Sequence, residues 1–292
     1  FTPDDSYSSG NFQKLRDMHG RLQLDSATGT DAQRKTILER TNWPAEFFKD
    51  KLILECGCGA GPDTEALVKL GAIVVSVDIA GVDVAKRNVG SGDRNMFVQA
   101  SIMDLPFRKE SFDIVYCHRV LQHTPDPEAT LKHILQYVKP DGDVFVHSYA
   151  RSMSQMWSWK YALRPLTKRM SSESLYKLVA AYTPPIFYAT NAMLKIPPRP
   201  LGHFLSRAAL QILPVRNPTA NPLFAGKSSD YLVEYAIHNT FDALAPPYDS
   251  PVSTSTMFRL AKPILKKPFE VWTSPSVTLL RSTRPDADAQ PF

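Results

Sequence analysis

The densest chemical signal in the chain is the run Glu55-Cys56-Gly57-Cys58-Gly59-Ala60-Gly61. It follows the apolar segment KLILE (51–55) and precedes a helical pattern starting at Asp63, so an acid and three alternating glycines stand where a strand turns into a helix. Glycine lets the backbone turn sharply and lets a ligand approach it, and a helix N-terminus offers unpaired N–H groups. A nucleotide-like ligand is expected there. The spacing is neither G-x-G-x-x-G nor a phosphate loop ending in Lys-Ser/Thr. A second acid, Asp78, ends the run AIVVSVD (72–78), where a carboxylate can accept hydrogen bonds from both hydroxyls of a ribose; capping of the next helix is the alternative. Cys56 and Cys58 form a C-x-C pair, and Cys117 makes the count odd. No second Cys/His pair stands at zinc-ligand spacing, so these read as small residues beside glycines, with neither a metal site nor a disulfide framework.

The elements that must position these groups follow from periodicity. KLILE, AIVVSVD, NMFVQA (95–100), FDIVYC (112–117) and DVFVHSY (143–149) read as buried parallel strands, rich in Ile and Val. Asp63–Leu70, Val82–Asn88 and Glu128–Val138 carry helical spacing, the last stopped by Lys139-Pro140-Asp141-Gly142. PFEVWTS (268–274) and SVTLLRST (276–283), with a turn around Pro275, add an antiparallel pair after a helical stretch near Thr256–Leu265. The fold class is therefore α/β, a Rossmann-like seven-stranded sheet, mostly parallel with an antiparallel terminal strand, helices on both faces, and a helical cap insertion. The organisation expected is an N-terminal appendage (1–50, with a helix over Asp31–Arg40), a ligand-binding core (51–150), a cap or substrate insertion (151–250), completion of the sheet (251–285) and a tail (286–292).

LILECGCGAG, VVSVDIA, ASIMDLPF, FDIVYCHRVLQHTPDP and VKPDGDVFVH, in this order, resemble the successive motifs of class I S-adenosylmethionine-dependent methyltransferases. Over nearly the whole chain, QLDSATG (23–29), GVDVAKRN (81–88), KYALRPLTKRM (160–170) and TFDALAPPYDSP (240–251) are similar to a bacterial group of such enzymes with a poorly defined substrate. The resemblance implies S-adenosylmethionine as cofactor and S-adenosylhomocysteine as product. Glu55 would organise the loop and reach the cofactor's amino group. Gly57, Cys58, Gly59 and Gly61 would bring backbone to the methionine part and ribose, with Cys117 nearby. Asp78 would hold the ribose, and Ile79 and Ile102 would cover the adenine. Ser101 stands where the family usually has an acid, a departure that weakens the bond to the adenine amino group.

Methyl transfer asks the protein for positioning, exclusion of water and, for a hydroxyl acceptor, removal of a proton. His118, directly after the fourth strand, ranks first as base because imidazole titrates near pH ~6.5. His147 and Tyr149, at the end of the fifth strand, and His123 follow. A loop-fixing role for His123 is an equal alternative. No cluster of carboxylates at this edge suggests a metal-dependent reaction, so metal-free in-line transfer, at oxygen, is expected.

Loops and caps on rigid scaffolds usually set the substrate. Arg119, Trp157, Tyr161, Arg164 and Tyr248 are the candidates for acceptor binding, and the basic-aromatic run 157–169 could grip a phosphate or rest on an anionic membrane. A cap helix with its aromatics inside is the plainer reading. The chain of 292 residues has a net charge of +5 and 22% charged residues. That excess is too small and too scattered to point to nucleic acid. No run of about 18 apolar residues and no signal-peptide layout appears, and a cytoplasmic location is expected. The acceptor expected is a small molecule or a saccharide, and the oligomeric state stays open. The competing reading is a non-catalytic cofactor-binding regulator.

Overall fold

The computed structural model describes residues 16, 20–150, 159–221, 224–274 and 276–283. The five Ile/Val-rich runs form β1 (Leu52–Cys56), β2 (Ile73–Asp78), β3 (Asn95–Gln99), β4 (Phe112–Cys117) and β5 (Val138–Tyr149). Late in the chain come β6 (Phe269–Thr273) and β7 (Val277–Ser282). All seven make one sheet in the order β3-β2-β1-β4-β5-β7-β6. β1 to β5 pair in parallel, and β7 runs antiparallel between β5 and β6. The Rossmann-like expectation holds, with the last strand one place in from the edge. The chain steps outward in opposite directions from β1 and β4, and open α/β sheets bind ligands at such a switch point.

Helices flank the sheet: α1 (Ala32–Thr41), α2 (Pro62–Lys69), α3 (Val82–Val89) and α4 (Pro127–Ile134). Pro127 opens α4, and the Asp126 carboxylate accepts from the Ala129 N–H at 2.9 Å, a cap that fixes where the helix begins. The stop expected at 139–142 is a bulge inside β5. Val138 pairs with Phe112 and Asp143 with Ile114, which leaves the four residues between them outside the ladder. Strand alternation splits the core in two. Ile53, Ile114, Tyr116 and Phe145 pack on Ile37 of α1 and Leu67 of α2, while Leu54, Val115 and Val146 pack on Leu131 of α4.

Contacts divide the chain into two compact units. Described residues 20–150, 248–274 and 276–283 form the sheet unit; residues 20–50 belong to it. Described residues 159–221 and 224–247 form a second unit of helices, α5 (Trp159–Thr167), α6 (Ser172–Met193), α7 (Arg199–Ile212) and α8 (Ser229–Leu244). Its core joins Leu175 and Val179 of α6 to Phe241 and Leu244 of α8. A last helix, α9 (Thr254–Ala261), returns the chain to the sheet unit. The turn around Pro275 and the tail 286–292 lie outside the described residues.

Candidate functional site

The glycines after β1 adopt backbone that L side chains resist: φ is 87° at Gly57, 57° at Gly59 and 93° at Gly61. A Cβ on Gly57 would lie 2.3 Å from the Val120 side chain, so the loop lies against the segment that follows β4. Gly57 and Cys58 donate their N–H groups to the Val77 carbonyl at 2.7 and 3.1 Å. Asp78, buried at the end of β2, clasps the loop: its carboxylate accepts from Gly59 N–H at 2.8 Å and Ala80 N–H at 3.0 Å. The cap of α3 is Gly81, so Asp78 is not used as its N-cap.

Glu55, 2% exposed, has one satisfied oxygen and one that is not. Oε2 accepts from the Thr64 and Ser76 hydroxyls, each at 2.6 Å, whereas Oε1 is buried with no partner. Burial, then the charge of Asp63, raises this carboxyl to about 8 against the pull of those two hydrogen bonds. A buried acceptor without a donor is costly, and an ammonium group would satisfy it.

Beside this loop the imidazoles form a row. The His118 and His147 ring centres are 5.0 Å apart, His147 and Tyr149 6.3 Å, and Tyr149 and His123 5.7 Å. His118 is fixed from both sides. Its Nε2 lies 2.6 Å from Arg40 Nη1, which can only donate, so Nε2 accepts and Nδ1 carries the proton, donated to Asp63 Oδ2 at 2.8 Å. Burial lowers His118 to about 4 against the opposing charge of Asp63. His147 is 1% exposed, with neither ring nitrogen partnered, and burial pushes its proton affinity well down. His123 Nδ1 donates to the Tyr248 carbonyl at 3.0 Å, which ties the loop after β4 to the segment entering α9.

Residues 54–146, the stretch that carries the acid-glycine loop and His118, match a family model described as a methyltransferase domain. Over 108 residues the chain is 36% identical to a ubiquinone biosynthesis O-methyltransferase of Coxiella burnetii, covering 36% of this chain and 46% of that protein. The chain thus spans about half the length of the first curated relatives it matches. A protein of the same name from Saccharophagus degradans is 27% identical over 196 residues, 65% of this chain and 77% of its own. The crystal structure of a magnesium protoporphyrin IX methyltransferase from Synechocystis with bound SAH aligns over 96% of this chain and 97% of its own, at 12% identity and a TM-score of 0.48.

Two residues that the sequence did not single out, Asp63 and Arg40, hold His118. Asp63, on the first turn of α2, also accepts from the Gln33 side chain, and Gln33 and Arg40 both project from α1. Asp25 fixes α1 in turn, accepting from the N–H groups of Gln33 at 2.9 Å and Arg34 at 3.0 Å. The signal available was the spacing Gln33, Ile37, Arg40, one face of a helix.

The remaining candidates scatter. Ser101 accepts from the Met103 N–H at 3.2 Å, Ile79 lends its carbonyl to Gln99, and Ile102 packs in the core. Burial pushes the Cys117 thiol up to about 12, and Cys58 is also buried. Arg119 has φ 63°, a left-handed conformation unusual for a non-glycine residue at a sheet edge. Tyr161 and Arg164 belong to the helical unit, and Trp157 lies outside the described residues. The expected surface role of 157–169 is corrected in part. Arg164 is buried and donates to the carbonyls of Pro246 at 2.6 Å and Ala243 at 3.3 Å, so its charge caps the end of α8. Lys160 is buried as well.

Proposed function

We propose that this chain is an S-adenosylmethionine-dependent methyltransferase acting on a small molecule at oxygen. The observation that carries the reading is the unpartnered Glu55 Oε1 beside a glycine loop clasped by Asp78. Glu55 would take the cofactor's ammonium, the Gly57–Gly61 backbone its methionine part, and Asp78 its ribose. The cofactor supplies a methyl carbon made electrophilic by its sulfonium. The match of residues 54–146 to a methyltransferase domain model supports the activity, and the relatives named O-methyltransferase support oxygen as the target. A saccharide hydroxyl would answer to the same chemistry.

A hydroxyl must lose its proton as its oxygen bonds to carbon. His118 is set up for that loss. Asp63 holds the Nδ1–H, which leaves the Nε2 lone pair as the accepting position, the logic of a base oriented by a carboxylate. Arg40 occupies Nε2 in the free chain and must yield it to the acceptor. Asp63 and Arg40 are positioning residues in this scheme.

Incubation of the chain with labelled S-adenosylmethionine and cell extract, followed by identification of the labelled product, tests the reading. The result expected is label in a low-molecular-weight compound, bound through oxygen. A chain that binds S-adenosylhomocysteine but labels nothing would be a cofactor-binding regulator, and the proposal would be withdrawn.

A further inference from the structure

An amphipathic helix on a water-soluble body turns its large apolar side chains inward. α7 is built otherwise. Its buried residues are the small Gly202 and Ser206, and a Cβ on Gly202 would lie 2.5 Å from the Met193 carbonyl oxygen and 2.8 Å from that of Ile196. The helix is therefore seated on the end of α6 about as closely as backbone permits. Its large apolar residues stand in water: Leu201, Phe204, Leu205 and Ile212 are exposed by 43%, 67%, 36% and 79%. At about 100° per residue these four fall on one stripe roughly 100° wide.

Charge says what the stripe faces. From Ser174 to Ser229 the sequence contains no Asp or Glu, while Lys177, Lys195, Arg199, Arg207, Arg216 and Lys227 are basic. Three of these are engaged elsewhere, Lys177 with Glu173 at 2.7 Å, Arg216 over the Trp159 ring at 5.3 Å and Lys227 over the Tyr231 ring at 5.7 Å. Lys195, Arg199 and Arg207 are exposed, the first just ahead of α7 and the other two on it. An apolar stripe flanked by Arg207, in a stretch without any acid, suits the headgroup region of an anionic bilayer, where apolar side chains enter the acyl boundary and cations meet lipid phosphate. A second copy of this chain would set one basic border against another. With 14 residues, α7 is about 21 Å long at ~1.5 Å per residue, too short to span. Among the described residues no helix is long and apolar enough to cross a membrane.

We infer that α7 lies flat on an anionic membrane surface, with Phe204 and Ile212 in the lipid and Arg207, beside the stripe, on its phosphates. The seat proposed is α7; in the run 157–169, Lys160 and Arg164 are buried.

Sedimentation of the full chain with phosphatidylcholine vesicles, with or without about 30 mol% phosphatidylglycerol, tests this. Binding at least about tenfold stronger to the anionic vesicles is expected, with a loss of about tenfold or more in Phe204→Ser/Ile212→Ser and in Arg199→Glu/Arg207→Glu. Both variants change exposed side chains, and unchanged thermal melting shows that they fold. A wild-type chain that ignores anionic vesicles overturns the inference, as do double variants that bind like wild type. So does a dimer in sedimentation velocity that the Phe204/Ile212 variant dissolves while vesicle binding is unaffected.

Discussion

The edge of the sheet and the outer side of α7 break the rule of burial in opposite senses. At the sheet edge, Glu55, Asp63, His118 and His147 are polar and buried; on α7, Leu201, Phe204 and Ile212 are large, apolar and exposed. Each exception names the ligand it awaits. Buried polar groups with a missing partner call for a small polar molecule that brings it, and exposed apolar groups call for a surface that removes them from water. Reading both only for stability would class them as defects, yet the sheet edge sits within a well-packed core.

The sharpest way to break the first half of this comparison is His118→Ala. Loss of a general base lowers turnover by about 10²- to 10⁴-fold. Affinity for S-adenosylhomocysteine should stay nearly constant, as steady-state kinetics and calorimetry can measure. Asp63→Asn should lose a similar share by freeing the tautomer. A variant in which acceptor affinity falls and turnover does not would make His118 an orienting residue and shift the search for a base to His147. Arg40→Ala removes a cation from His118 Nε2, so the acidic limb of the pH–rate profile should move to higher pH.

Next in size is Gly57→Ala. The added methyl meets Val120 at 2.3 Å with φ at 87°, and strain of this kind costs about 1–3 kcal/mol. Denaturant melts should show it, with partial recovery in Gly57→Ala/Val120→Ala. Full stability in Gly57→Ala alone would mean that the loop does not sit against the segment after β4.

Much of this was legible because it is local. Strand runs, the glycine loop and Asp78 are written in consecutive residues, and every strand but β5, which starts at Val138 instead of Asp143, lies within one residue of its sequence-derived limits. What was not legible is tertiary. Asp25 caps α1 from outside the helix, whereas Asp31, directly before it, makes no side-chain cap bond. Arg40 meets His118 across 78 residues of sequence. Pro184 and Pro185 stand inside the 22-residue α6, where packing overrides their helix-breaking tendency. The basic run around Arg164 read as a surface because its partners are the carbonyls of Ala243 and Pro246, which no pattern of side chains announces.

A smaller effect reports on Glu55. Its carboxyl titrates near 8 in the folded chain against an ordinary value of 4.5, so it binds a proton that the unfolded chain releases between those values. The stability it contributes is full below pH 4.5 and is lost as pH rises toward 8; Glu55→Gln should flatten that slope in thermal melts. An ammonium at Oε1 favours the ionised form, so cofactor binding near neutral pH should release a proton. Calorimetry in buffers of different ionisation enthalpy can count it, and Glu55→Gln should release none. The smallest effect sharpens the contrast from the other side. Phe204→Ser should change folding stability by no more than about 0.5 kcal/mol, the range of ordinary surface substitutions. A larger loss in denaturant melts would show that the stripe is packed after all.

The central claim is that the acid-glycine edge holds S-adenosylmethionine, and calorimetric titration of S-adenosylhomocysteine into wild type and Asp78→Ala tests it most directly. A charged hydrogen-bond partner is typically worth about 1.5–3 kcal/mol, so the account predicts a loss of that size in Asp78→Ala while the fold persists. A change of less than about 1 kcal/mol, below that range, would contradict the ribose assignment and with it the placement of the cofactor at this edge.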